Sequence, residues 1–105
     1  MLIRLASFMV KPDRVSRLRD VYNLQAIPRV RKQPGNLACL LLEPAGEGER
    51  VFKAMTIWDS RASGESYDAS GVAAEIVGMV RECFAAPPTL ETFVSDSSLG
   101  LEPHT

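Results

Sequence analysis

The sequence predicts an α+β fold with elements in the order β-α-β-β-α-β. Three observations predict it. A basic amphipathic helix stops at Gln33-Pro34-Gly35, immediately before residues 37–42, which are apolar at every position. Two strand-like segments flank a Gly-rich reversal, PAGEGE, at 44–49. A second helical repeat of apolar residues from Val72 ends before Pro87-Pro88 and a short final strand. Pro34 cannot continue a helix and Gly35 permits a sharp reversal, so the strand after it must run back along the helix before it.

Residues 2–10, LIRLASFMV, read as the first strand, with Ile3, Leu5 and Met9 on one face and Leu2, Ala6, Phe8 and Val10 on the other. Lys11-Pro12-Asp13 turns the chain and Asp13 is the expected N-cap of helix one. Val15, Leu18, Val21, Tyr22 and Leu24 form its apolar stripe, with Arg14, Arg17, Arg19 and Asp20 on the wet side. This helix spans 13–33 and bends near Pro28, whose ring crowds the preceding turn. The apolar run 37–42 predicts a strand covered on both faces, since a strand with one wet face alternates. Residues 50–58, RVFKAMTIW, form a third strand and a hairpin with the second. Asp59-Ser60 can cap a helix, but RASGESYDASG at 61–71 is a poor helix former, read as a mobile loop or a broken first turn. Val72, Ala73, Ile76, Val77, Val80, Cys83 and Phe84 recur at helical steps and carry the second helix to Ala85-Ala86. Residues 89–94 are the last strand. One domain occupies 1–98, and 99–105 are a loosely held tail.

This order is the ferredoxin-like split βαβ arrangement, with two helices on one face of a four-stranded antiparallel sheet. The other face would carry large apolar side chains from the first three strands, more than a monomer normally exposes. A second copy packing sheet to sheet is the expected cover, hence a homodimer.

Composition narrows the chemistry. With 46% hydrophobic and 24% charged residues and no apolar run near the roughly 20 residues of a membrane span, a soluble, cytoplasmic protein without a membrane partner is expected. Cys39 and Cys83 lie in apolar segments without a CxxC or Cys/His spacing, so no metal site is expected and both are read as reduced core thiols. His104 is the only histidine and sits one residue from the end. Nucleophilic machinery that needs a histidine base is therefore not expected. Residues 1–42 hold eight Lys or Arg against two Asp, and 43–105 hold four against eleven acids, about +6 and −7. In one domain the halves interleave and these fields largely cancel. The same element order builds RNA-recognition modules, but those need a glycine-aromatic platform on the central strands. RVFKAMTIW and LIRLASFMV lack it, so no nucleic-acid partner is expected.

Four segments carry a resemblance over nearly the whole chain: VKP at 10–12, AIPRVRKQPG at 26–35, TIWDS at 56–60 and FAAPP at 84–88. In this order and spacing the chain resembles the antibiotic biosynthesis monooxygenase-like domains of the dimeric α+β barrel superfamily. The resemblance implies a dimer with sheets face to face and a small-molecule cavity in each protomer between sheet and helices. Members include enzymes that oxygenate polycyclic phenols to quinones without metal or flavin, and others that degrade haem. For the quinone-forming type it implies a strand-three tryptophan, a tyrosine soon after it, an arginine on the second helix and a strand-three asparagine. Trp58 matches the tryptophan. Tyr67 and Arg81 are the nearest counterparts of the next two, each a few residues further on than usual, and no asparagine stands near Ala54. The haem-degrading type needs a second-helix histidine and a first-strand asparagine, and this chain has neither.

The expected catalytic residues are therefore Trp58, packing on a flat ring, with Tyr67 and Arg81 steadying oxyanions. Tyr22, Ser7 and Thr56 are expected around the substrate, and no cofactor is called for. Arg4 and Lys53 stand within apolar strands and must be paired, at an edge or at a dimer rim, for instance Arg4 with Glu91. The expected activity is cofactor-independent monooxygenation of a small aromatic or phenolic compound. The alternative is a non-catalytic binding or scaffold homodimer of the same fold, which keeps the cavity without needing Tyr67 and Arg81 near Trp58.

Overall fold

The computed structural model describes residues 1–97, so the expected tail at 99–105 lies outside the described residues. Four strands, β1 (Leu2–Met9), β2 (Asn36–Leu42), β3 (Val51–Trp58) and β4 (Thr89–Val94), form one antiparallel sheet in the order β2-β3-β1-β4. The helices pack on one face of it, which is the ferredoxin-like arrangement. Sequence neighbours β1 and β2 are not neighbours in the sheet, because β3 lies between them.

Register and the two-residue period of a strand decide which side chains meet. Leu2, Arg4, Ala6 and Phe8 of β1 stand beside Trp58, Thr56, Ala54 and Phe52 of β3, and this set faces the helices. Ile3, Leu5, Ser7 and Met9 beside Ile57, Met55, Lys53 and Val51 form the opposite face. That face is uncovered within one chain: Met9, Leu40, Leu42, Val51 and Phe93 are between 36% and 47% exposed. The apolar run of β2 thus covers the core through Cys39 and leaves Leu40 and Leu42 in the open.

The first helical segment differs from its expected form in three ways. Pro12 opens a short 3-10 turn, Pro12–Arg14, and the Asp13 side chain caps nothing, so the N-cap expectation does not hold. The helix then runs through α1 (Val15–Val21), a π-helical turn (Tyr22–Ala26) and α2 (Ile27–Arg31). In the wide turn the Ile27 N–H reaches back five residues to the Tyr22 carbonyl. A proline ring clashes with the carbonyl four residues before it, here that of Leu24, and widening the turn relieves the contact. Pro28 is thus absorbed by a π turn just before it. The extra residue changes the phase of the stripe: Leu18, Val21, Tyr22, Ala26 and Val30 are buried, and Leu24, expected in the stripe, is 74% exposed.

Residues 61–71, expected as loop or broken turn, instead form the helix α3 (Arg61–Ser70). Ser60 caps it, its hydroxyl oxygen accepting from the Ser63 N–H at 3.1 Å, and Gly71 ends it at φ 81°. Gly64, weak in a helix by propensity, is required by packing: a Cβ there would lie 2.4 Å from Leu2 Cδ2. The last helix, α4 (Val72–Val80), is shorter than its apolar repeat suggests. It passes into a 3-10 turn, Arg81–Cys83, and the chain there bridges back from Phe84 to Val10.

The charge halves interleave as expected. Arg4 with Asp68, Arg17 with Glu82, Arg19 with Glu43 and Arg29 with Glu75 each join a base of the first 42 residues to an acid beyond them. Arg19 and Glu43 make the fullest pair, with Nε and Nη2 donating to the carboxylate at 2.8 to 3.1 Å. Each raises the other's preference for its charged form, so Glu43 titrates below the usual carboxylate range.

Candidate functional site

Between the sheet and the helices lies a cavity of about 250 Å3. Its floor follows from the sequence. Ala6 on β1 and Ala54 on β3 stand side by side, and two methyl groups in mid-sheet leave space that larger neighbours would fill. Phe8 closes one end of this floor, and Arg4 and Thr56 stand at the other. The roof is the apolar face of α4, chiefly Ile76, Val77 and Val80, and the walls are Tyr22 from the π turn and Tyr67 and Asp68 from α3.

Trp58 is fully buried behind Tyr67 and outside the cavity lining. Its ring packs on Tyr67 with centroids 4.7 Å apart at a 30° tilt. Its Nε1–H donates to Thr56 Oγ1 at 3.1 Å. The indole thus fixes two lining groups, the Tyr67 ring and the Thr56 hydroxyl, without forming the wall itself. Burial pushes the Tyr67 phenol up to about 12, with nearby Cys39 and Asp68 adding to the shift and Arg29 and Arg4 opposing it. Burial likewise holds Tyr22 far above the ordinary phenol range. Both phenols are therefore protonated at neutral pH, with a proton to donate and no basic form to accept one.

The structure brings together Tyr67, Tyr22 and Thr56 at the cavity, with Trp58 one layer behind. It does not bring Arg81 or Ser7 there. Arg81 lies exposed in the 3-10 turn beyond the end of α4, away from the cavity lining. Ser7 lies one residue out of phase with Ala6 and Phe8 and so sits on the opposite face, beside Lys53.

The arginine at the cavity is Arg4, which sequence reasoning treated as a charge to be paired away. Its Nη1 donates to the Gly64 carbonyl at 3.3 Å and to the Asp68 carboxylate. The expected partner, Glu91, stands beside Leu5 and so faces the other side of the sheet. The signal that marks Arg4 is its parity: it shares a strand face with Leu2, Ala6 and Phe8. Asp68 was missed because α3 was not expected to be a helix.

Among the described residues no group of three or more His, Cys, Asp or Glu could hold a metal ion, and no helix is long and apolar enough to cross a membrane. The antibiotic biosynthesis monooxygenase family profile matches residues 1–78. The chain belongs to the antibiotic biosynthesis monooxygenase family. Solved structures with the same fold include a Nitrosomonas europaea protein named for this family, at TM-score 0.79 and 14% identity over 92% of this chain and 100% of that one. A Deinococcus radiodurans protein, also named for the family, matches at TM-score 0.79 and 13% identity over 98% and 100% of the two chains. Rv0793 of Mycobacterium tuberculosis matches at TM-score 0.72 and 23% identity over 93% and 97%. At these identities the likeness concerns the fold. No curated protein matches the sequence.

Proposed function

We propose that this family member binds a small aromatic or phenolic compound in the cavity between sheet and helices and oxygenates it with dioxygen, using no metal or flavin. The observation that carries this reading is the Trp58–Tyr67–Thr56 unit, a buried indole that orients a phenol donor and a hydroxyl at the wall of an otherwise apolar cavity. At about 250 Å3 the space is just below the roughly 300–1,000 Å3 of ligand pockets in general, which suits a molecule of one or two rings.

The chemistry balances without an added reductant. A phenol ring C–H becomes a quinone C=O; one oxygen atom stays on the ring and the other leaves as water, with the substrate supplying all four electrons. The protein's part is to hold the ring dry against the roof of α4 and to donate hydrogen bonds to the oxygen that bears charge as the ring reacts. Tyr67 is placed for that role and Tyr22 for orientation, with Trp58 as a positioning residue. Oxygen uptake with a panel of one-ring phenols and two-ring naphthols tests the reading. Tyr67→Phe should lower turnover roughly a hundredfold, as expected for loss of one oxyanion donor, and Arg81→Ala should leave it unchanged. Binding without oxygen uptake across the panel would move the assignment to a ligand-binding protein, a reading favoured by the exposed position of Arg81 and by Ala54 standing in the strand where an asparagine is expected.

We also infer that the working unit is a homodimer joined through the open sheet face. Ile3, Leu5, Met9, Leu40, Val51 and Phe93 make that face apolar beyond what a lone domain keeps in water. Sedimentation equilibrium at micromolar protein should give twice the chain mass, and a monomer at that concentration would remove the inference.

A further inference from the structure

We propose that Arg4 is the specificity-determining residue of the cavity, and that the preferred ligand carries an anionic oxygen pair, a carboxylate or its equivalent, on its flat apolar body. The inference rests on the reading of the cavity as an aromatic binding site and adds the ligand's charge.

Arg4 stands on the core-facing side of β1 and lines the cavity. Its side chain is only 14% exposed. Both of its hydrogen bonds leave from Nη1, to the Gly64 carbonyl and to Asp68. Nε is buried and has no hydrogen-bond partner among the described residues. The Nε–Nη2 edge of a guanidinium is one of the forks that accept a carboxylate through two parallel bonds, and among the described residues the protein leaves both atoms of that edge without a partner while Nη1 is anchored; because Nε is covered, a ligand carboxylate engages the edge as the Arg4 side chain shifts toward the cavity. A buried N–H without a partner is costly, and native proteins rarely keep one without reason. The opposite preference, a cationic ligand drawn by Asp68, fits less well, because Asp68 is half exposed and already engaged by Arg4.

The site also selects against polar ligands at large. Apart from Arg4, Asp68, Thr56, Thr89 and the two phenols, its lining is apolar, so a second charge on the ligand would be buried without a partner. The ligand class is thus a one- or two-ring aromatic acid, anchored by its acid group at the Arg4 end of the Ala6–Ala54 floor.

The test is isothermal titration of the intact chain with three matched probes: 2-naphthoate, 2-naphthylmethanol and 2-naphthylmethylammonium. The carboxylate should bind at least about tenfold tighter than the alcohol, as expected for a charge-assisted hydrogen bond, and the ammonium probe weakest. Arg4→Gln should abolish the carboxylate's advantage over the alcohol. Arg4→Lys should recover only part of the preference, since a point charge lacks the fork. Equal affinity for carboxylate and alcohol overturns the role of Arg4 while the aromatic cavity stands, as does tightest binding of the ammonium probe. Failure of all three probes to bind overturns both readings. Should Arg4→Gln not fold, the three probes on the unaltered chain decide alone.

Discussion

Replacing Ala54 with leucine separates the cavity's role in binding from its effect on stability. Ala54 faces the helices in mid-sheet beside Ala6, with the 250 Å3 cavity above it. A leucine adds three carbons to a space that already exists. At about 0.8 kcal/mol per buried CH2 the transfer term approaches roughly 2.4 kcal/mol. Rotamer restriction and imperfect fit reduce it to about 1–2 kcal/mol, and leucine's better strand propensity acts in the same direction. For a domain of this size that raises Tm by roughly 5–10 °C. Aromatic ligand affinity should fall by at least about tenfold, because the added side chain occupies the floor. Thermal unfolding by circular dichroism at one fixed protein concentration, with naphthoate titration on the same samples, reads both quantities. A lower Tm together with undiminished affinity would mean that the space over Ala54 is not there, and the cavity argument would fail.

Other substitutions address packing, assembly and ionisation. Gly64→Ala should cost about 1–3 kcal/mol by overpacking against Leu2, despite alanine's better helix propensity, whereas Gly78→Ala on α4, with nothing within 4 Å of the new methyl, should gain about 0.5–1 kcal/mol; urea midpoints of the two variants compare them directly. Leu40→Glu, at 47% exposure on the open sheet face, should turn a dimer into a monomer without unfolding the chain, and sedimentation that still gives a dimer would place the interface elsewhere. Burial raises the Cys39 thiol from 9.0 to about 11 and the Tyr67 phenol from 10.0 to about 12. The folded state therefore holds these protons longer than the unfolded chain does. Stability is at its full value below pH 9 and declines as pH rises toward 11 and 12, by at most about 1.4 kcal/mol per pH unit for Cys39 and by less for Tyr67, whose partial exposure screens it. Urea unfolding at pH 8, 9, 10 and 10.5 should show this slope, and Cys39→Ala should reduce the part that begins near pH 9, leaving the share of Cys83, whose thiol burial also raises.

How far the sequence reached can be followed at individual residues. The four strands and their order along the chain were legible because each lies beside a turn that carries Pro or Gly at one end at least, a local signal. The helix over 61–70 was not, because its stability is tertiary and terminal: Ser60 and Gly71 hold its ends, and Gly64 is there to let Leu2 approach. Intrinsic propensity sees only the cost of those residues. Arg81 was misplaced because an apolar repeat continues through Cys83 and Phe84, while the α-helix ends at Val80; the period does not distinguish an α-helix from the tighter turn that succeeds it. Ser7 and Arg4 show the reverse. Their parity along β1 was available from the start, and it puts Ser7 away from the cavity and Arg4 toward it. The π turn at 22–26 left its trace in Pro28, but a proline announces that something must give without saying whether the helix kinks or widens.

The sheet order has a consequence for how the chain is made. A ribosome delivers β1 and β2 first, and neither has a partner then: β1 pairs only with β3 and β4, and β2 only with β3. The half-made chain therefore carries two sticky strands that cannot bond in the native way. Its excess of positive charge, about +6 over the first 42 residues, stays unmatched over the same interval. Like charges on nascent copies repel and keep those strands from pairing between molecules. When β3 enters between the waiting strands, the acids that follow it bring the opposite charge, so one stretch of chain completes the ladder and removes the repulsion that had protected it.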